Sequence, residues 1–466
     1  MNSMIRGTSS GRGCPYFDPE YDTLLARLNP PSVVIDNTTC GDATLVKVDS
    51  ANRHGILLEV VQVLSDMDLV ISKAYISSDG GWFMDVFHVT DQLGQKLTDE
   101  GIIDYIQQSL GAKQDSLRTE VRTCLGRTIR LQSIAEYTAI ELTGRDRPGL
   151  LSEVSGVLKD LMCNVVAAEV WTHNMRVACV VYVTDEKTGG PVEEVSKLTR
   201  IKEQLSQVLR NDSDGNSGKT DFSLGLTHTE RRLHQMMFAD RDYESLGRFK
   251  ERCIYEKGHH PSVTVHNCEE KGYSVVSLRC RDRPKLLFDT VCTLTDMQYV
   301  VFHASINTDH TYAYQEYYIR HMDGCTLTSE SEKNRVIQCL EAAIERRISE
   351  GLRLELSTND RVGLLSDVTR IFRENGLSVA RADVSTSGEK AVNVFYVTDA
   401  SGNPVDMKIV EAVRREIGLT ILQVKEVSEK AISRAQDTSK SLFSFTNIVA
   451  HSERFLYNLG LVKSSF

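Results

Sequence analysis

Thr138-Ala139-Ile140-Glu141-Leu142-Thr143-Gly144-Arg145-Asp146-Arg147-Pro148-Gly149-Leu150-Leu151 joins a strand to a helix through a short polar turn. Thr138 to Thr143 alternates apolar and polar residues, the mark of a strand with one buried face. Arg145 to Gly149 is a tight polar turn. From there Leu150, Leu151, Val154, Val157, Leu158 and Leu161 trace the stripe of an amphipathic helix. Pro148 suits the first helical turn, where its missing N–H is not needed. Further on, Asn164-Val165-Val166 opens a long second strand and Trp171 to Met175 reads as a hairpin. Val177 to Thr184 reads as a third strand and Pro191 to Leu209 as a second helix, giving the order βαββα.

The polar turn recurs. Asn52-Arg53-His54-Gly55-Ile56, Asp146-Arg147-Pro148-Gly149-Leu150, Asp282-Arg283-Pro284-Lys285-Leu286 and Asp360-Arg361-Val362-Gly363-Leu364 each follow an alternating stretch and open an apolar-periodic helix. Each is followed by a matching run such as Val180-Val181-Tyr182-Val183-Thr184-Asp185 or Val394-Phe395-Tyr396-Val397-Thr398-Asp399. Self-similarity of this kind predicts a repeat architecture. In the fourth copy a helix over 405–417 is followed by Leu419 to Val424, a final strand. The complete unit is βαββαβ, so the fold class is α+β, with four ferredoxin-like units whose antiparallel sheets carry helices on one face.

A larger duplication overlies the first. Pro31-Ser32-Val33 precedes the first unit and Pro261-Ser262-Val263 the third, both offset by 230 (261 − 31), as are the turns (282 − 52). The leading strand is expected to fill the sheet edge that a trailing strand would otherwise take. The expected boundaries are 31–125 (leading strand and unit one), 136–210, a linker over 211–260, then 261–349, 351–427 and a tail over 428–466. In the linker, Thr229 to Arg252 reads as a charged helix. It is either a spacer with Leu233, Met236 and Met237 packed on a neighbouring sheet or a face for a partner.

Composition narrows the function. A net charge of −10 with no concentrated basic run argues against nucleic-acid binding. The 11 cysteines are scattered with no Cys-x-x-Cys pair, which suits a reducing compartment. No metal or cofactor is expected: His259-His260, His228 and His234 lack ligand partners at the right spacing. The N-terminus lacks the apolar core of a secretory signal, Asn2 excludes myristoylation, and no run is apolar enough to span a membrane. The expected location is intracellular, in cytoplasm or nucleus, with a peripheral membrane contact as the alternative.

The turn has a chemistry of its own. A helix N-terminus presents unpartnered N–H groups and partial positive charge, a ready site for a carboxylate. The Asp or Asn beside it can accept from an ammonium, and an amino acid carries both groups on one carbon. Gly55, Gly149 and Gly363 let a ligand approach the backbone closely. The same residues could equally serve only as helix caps, each stabilising by about 1 kcal/mol.

These residues resemble the ACT domain: strand, Asp-Arg-x-Gly, helix, Asn-Val-Val and the Val-x-Val-Thr-Asp strand. The whole layout, over about residues 15–425, resembles the plant ACT domain repeat proteins, which carry four such modules. Similar paired modules end the bacterial nitrogen-sensing uridylyltransferase. The resemblance implies that modules pair edge to edge into eight-stranded sheets and bind amino acids at the seam. The ligand then touches the turn of one module and the start of the second strand of its neighbour. That carries the site onto Asn52, His54, Gly55, Ile56, Asp146, Arg147, Pro148, Gly149, Leu150, Asp282, Arg283, Asp360, Arg361, Val362, Gly363 and Leu364, with Asn164, Val165, Leu377 and Ser378 facing them. Lys285 replaces glycine in the third turn and Asn52 and His54 replace Asp and Pro in the first, so Asp146 and Asp360 are the leading candidates.

The expected function is a non-catalytic regulatory protein, an amino-acid or nitrogen sensor whose effector is a free amino acid and which acts on a protein partner. A scaffold whose modules bind no small molecule is the alternative. Pairing within one chain is expected, with a homodimer left open. An enzyme is not expected. Gly7-Thr8-Ser9-Ser10-Gly11 fits a nucleophile string but follows no strand, and Asp240-Arg241-Asp242 lacks the Gly-Ser element of a nucleotidyltransferase. In the tail, Phe443, Phe445, Ile448, Phe455, Leu456, Leu459 and Leu461 suggest a helix docked on this protein, on a partner or on a membrane surface.

Overall fold

The computed structural model describes residues 31–79, 81–111, 120–124, 128–130, 136–210, 218–223, 228–244, 260–309, 311–348 and 351–425. Two eight-stranded antiparallel sheets dominate it. The first runs β1 (Ser32–Asp36), β2 (Thr44–Ala51), β4 (Trp82–Thr90), β3 (Val70–Asp79), β13 (Tyr299–Thr308), β14 (Tyr312–His321), β12 (Tyr273–Arg281) and β11 (Ser262–Cys268). The second runs β10 (Lys219–Ser223), β7 (Thr138–Arg145), β9 (Arg176–Asp185), β8 (Cys163–His173), β16 (Leu377–Ser387), β17 (Lys390–Asp399), β15 (Leu352–Asn359) and β18 (Leu422–Lys425). A small hairpin, β5 (Glu120–Arg122) with β6 (Thr128–Arg130), follows module one.

Module one therefore pairs with module three, and module two with module four. The seams are β3 on β13, with Tyr75 opposite Ser305, and β8 on β16, with Val170 opposite Ala382. Joining edges in this way removes two exposed strand edges from each pair of modules. β1 and β11 occupy the edges of modules one and three, so the leading strands do stand where a trailing strand would. In module two that edge is filled from behind by β10, which pairs with β7 and carries the module past the expected limit at 210.

Each sheet is covered by four helices: α1 (Ile56–Asp66), α2 (Glu100–Leu110), α6 (Leu286–Asp296) and α7 (Glu330–Glu345) on the first, and α3 (Leu150–Asp160), α4 (Val195–Leu209), α8 (Leu364–Glu374) and α9 (Met407–Ile417) on the second. The first helices of paired modules pack on each other, α1 on α6 and α3 on α8, so each pair shares one core. Each of these four helices lies between two left-handed residues 13 positions apart: Gly55 and Asp68, Gly149 and Met162, Lys285 and Gln298, Gly363 and Gly376. That spacing holds the helix to three turns and returns the chain to the next strand.

Two local expectations change. The module-two hairpin is only Asn174-Met175, both with positive φ, as a two-residue turn of the I′ kind requires. Trp171 belongs to β8 and is fully buried. The linker helix is α5 (Thr229–Ala239) and stops at Arg241, which turns left-handed at φ 58. Leu233, Met236 and Met237 pack on Trp171, Ala178 and Val180, on the face of the second sheet opposite its own helices. The other side of α5 meets α6, so it sits between the two sheet–helix layers. The serine string at 7–11, His259 and the apolar tail lie outside the described residues.

Candidate functional site

All four turns are built alike. The residue before the helix is left-handed (Gly55, Gly149, Lys285, Gly363), and no side chain caps any of the four helices. The capping role open to the Asp or Asn is thus not the one it performs. Its main-chain N–H instead holds the hairpin of its own module: Asn52 to Gly81, Asp146 to Met175, Asp282 to Thr311 and Asp360 to Glu389, at 2.8–2.9 Å. The arginine of each turn reaches an acid in the first turn of the helix. Arg53 meets Glu59, Arg147 grips Glu153 at 2.7 and 2.5 Å, Arg283 meets Asp289 at 2.7 Å and Arg361 meets Asp367 at 2.6 Å. These pairs fix the turn.

Between modules two and four this geometry makes two clefts. The first is lined by Asp146, Arg147, Gly149, Leu150 and Leu151 from module two and by Thr369, Phe372, Leu377 and Val379 from module four. Leu142, Val154, Val170, Cys179 and Leu209 make its deep part apolar. The second is lined by Asp360, Arg361, Gly363, Leu364 and Leu365 from module four and by Ser155, Lys159, Cys163, Asn164 and Val165 from module two, over Val384, Thr386, Ala391 and Asn393. Asn164 Nδ2 points at Asp360 Oδ2 from 3.4 Å. Of the residues carried over by resemblance, the structure brings Asp146 to Leu377, and Asp360, Gly363 and Leu364 to Asn164 and Val165. Ser378 pairs with Thr398 inside the sheet and lines neither cleft; Pro148 and Val362 also stay out.

Burial pushes the Asp146 carboxyl up to about 6, against the opposing pull of the Arg147 N–H and guanidinium. It is a carboxylate short of a cation, with Arg147 already committed to Glu153.

A pseudo-twofold axis relates the two clefts through an offset of 214 (363 − 149). Ser155 and Thr369 are equivalent and meet across the axis at 3.0 Å, both buried. Lys159 and Arg373 are equivalent too (373 − 159 = 214), and each lies over the other module's glycine. A β-carbon at Gly149 would fall 2.7 Å from Arg373 Cδ, and one at Gly363 2.8 Å from Lys159 Cδ. Lys159 also bonds Asp367 at 2.9 Å. A cation on a long stem thus overhangs each of the two turns. The turn motif gave no sign of these residues, although their position ten residues beyond each glycine was available as a signal.

The pair of modules one and three differs at the axis, at the overhanging positions and in the third turn. The axis residues are Val61 and Val291, both fully buried, and the overhanging cations are replaced by Ser65 and Thr295. Asn52 and His54 are exposed, and Gly55 has nothing within 4 Å of a β-carbon position. The third turn is filled by the protein itself: Lys285 bonds Glu230 of α5 at 2.7 Å. Beneath it, Asp289 takes Arg283, Arg347 and His234, and Arg346 grips Asp242 at 2.6 and 2.5 Å. Burial would raise Asp289, yet Arg347 and Arg283 hold it well below the carboxylate range. Arg283 is therefore part of a domain junction. The D-x-D of the linker is likewise structural, with Asp240 near Arg176.

Comparison with known proteins agrees with this architecture. Residues 39–116 match the ACR family N-terminal ACT domain, and residues 353–415 match the ACT domain. The chain is 60% identical over 410 residues to the ACT domain-containing protein ACR3 of Arabidopsis thaliana, covering 88% of this chain and 90% of that one. It is 55% identical over 453 residues to ACR4 of the same plant, covering 96% and 98%. A bifunctional uridylyltransferase/uridylyl-removing enzyme of Gluconobacter oxydans matches at 40% over 87 residues, which is 19% of this chain and 9% of the enzyme. With four repeated modules of that fold and near full-length identity to such proteins, the chain belongs to the ACT domain repeat family of regulatory proteins.

Proposed function

We propose that the protein is a non-catalytic sensor that binds a free α-amino acid in the two clefts between modules two and four. The observation that carries this is the pairing, in each cleft, of an uncapped helix N-terminus with the carboxyl of Asp146 or Asp360. The helix end and the overhanging Arg373 or Lys159 suit the ligand carboxylate, and the Asp suits its ammonium. A ligand bridging both modules would bias the β8–β16 seam and, through α5 on β8 and β9, the whole stack. A free amino acid has roughly ten heavy atoms, so millimolar to micromolar affinity is expected.

The scaffold reading has its own support in the first pair of modules, where the third turn is occupied by Lys285 and Glu230. We assign that pair to assembly and the second pair to ligand.

Isothermal titration of the full chain against the twenty amino acids tests this. Asp146→Ala and Asp360→Ala should each weaken one class of sites by about 10- to 100-fold, the value of a charged hydrogen bond. Absence of heat and of thermal shift for every amino acid would leave the scaffold reading.

A further inference from the structure

The two clefts are equivalent in backbone and unequal in their floors. The floor position lies on the third strand of each module, on the face covered by helices. It is Cys179 in module two and Asn393 in module four, again 214 apart (393 − 179). Asn393 is 1% exposed and sits in register between Leu356 and Val384. Its Oδ1 is buried with no hydrogen-bond partner among the described residues. A buried acceptor left unmade costs about 1–3 kcal/mol, so its presence beside a cleft calls for an explanation. The matching residue of module three, Gln315, shows what satisfaction looks like: its Oε1 accepts from Thr290 at 3.1 Å and from Tyr317 at 2.7 Å. In module four the equivalent positions are Val368 and Phe395, which cannot play those parts, and Asn393 lines the cleft. Cys179 offers no such demand; its thiol, pushed up to about 12 by burial, is a neutral apolar surface among Leu142, Val154 and Val170.

We propose that the clefts take different ligands: the module-four cleft selects an amino acid whose side chain donates a hydrogen bond, such as an amide or hydroxyl, with Asn393 as the selecting residue, and the module-two cleft selects an aliphatic one. This rests on the amino-acid reading above. A protein built this way reports on two pools at once, since both clefts share the α3–α8 contact.

The test isolates one cleft at a time. In full-length Asp146→Ala protein, titration calorimetry should find asparagine, glutamine or serine bound about tenfold more tightly than leucine or valine. Asn393→Cys, which copies the other floor, should erase that difference, and Asn393→Asp, which keeps the acceptor, should preserve it. In Asp360→Ala protein the order should invert. If Asn393→Cys still binds amino acids with an unchanged preference, or if Asn393→Asp loses the preference as fully as Asn393→Cys, the selecting role is wrong and the sensor reading stands. If no amino acid binds the wild-type chain, both fall together.

Discussion

Asp146 shows how a buried carboxyl is kept at a cost to the fold. Its carboxyl titrates at about 6 in the folded protein because burial opposes its charge. The unfolded chain titrates near 3.8, so between those values the folded state holds the extra proton and stability falls as pH rises through the window. Asp146→Asn should therefore raise the melting temperature at pH 7.5, with the gain shrinking as pH falls from about 6 to about 4. An unchanged melting temperature across that range would mean the carboxylate is well compensated without a ligand. The residue itself was legible: an Asp before an Arg-x-Gly turn at a helix start announces a polar group beside free amides. The cations over the two turns were not. Lys159 and Arg373 sit in the last turn of ordinary amphipathic helices, where a basic residue is already favoured by the helix dipole, so local sequence does not separate a lid from a cap.

The linker helix α5 meets a network of buried charge through Glu230 and His234. Asp289 is fully buried and serves Arg283, Arg347 and His234 at once, while Arg347 stacks 4.9 Å from the Trp171 ring. Removing one member of such a set leaves the others unpaired in a dry site. Asp289→Asn should cost about 3–5 kcal/mol in urea unfolding. It should also increase tryptic cleavage after Arg231 and Arg232. Burial also drives His173 down to about 4, so it is neutral when folded, and lowers His234 against the pull of Asp289. The unfolded chain protonates the His173 ring near 6.5, so stability is lost as pH falls from there toward 4. His173→Gln should flatten that limb of a melting-temperature profile. The apolar face of α5 was readable from Leu233, Met236 and Met237 at helical spacing. Its polar face was not, because the partners of Glu230 and His234 lie 50 to 120 residues away in sequence and no local pattern connects them.

The four modules are interleaved, one with three and two with four, and this was the least legible feature. Strands β3, β8, β13 and β16 all read as half-buried strands, and a strand edge offers the same backbone groups to any neighbour. What separates the pairs lies at the helix crossing, with Val61 and Val291 in one and Ser155 with Thr369 in the other. Tyr75→Cys with Ser305→Cys would place two thiols on directly opposed residues of β3 and β13, within reach of a disulfide. Oxidation should give a cross-linked single chain of unchanged mass on a denaturing gel; a covalent dimer would show that the seam is shared between chains. The interleaving also sets a timetable for synthesis. The ribosome finishes β3 at Asp79 and reaches Tyr299, the start of its partner, 220 residues later (299 − 79), a delay of roughly ten to forty-five seconds at ordinary elongation speed. For that interval the nascent chain holds an open strand while the wrong neighbour, β8, has already emerged. Fidelity in this molecule is thus decided by which strand is refused as well as by which is accepted.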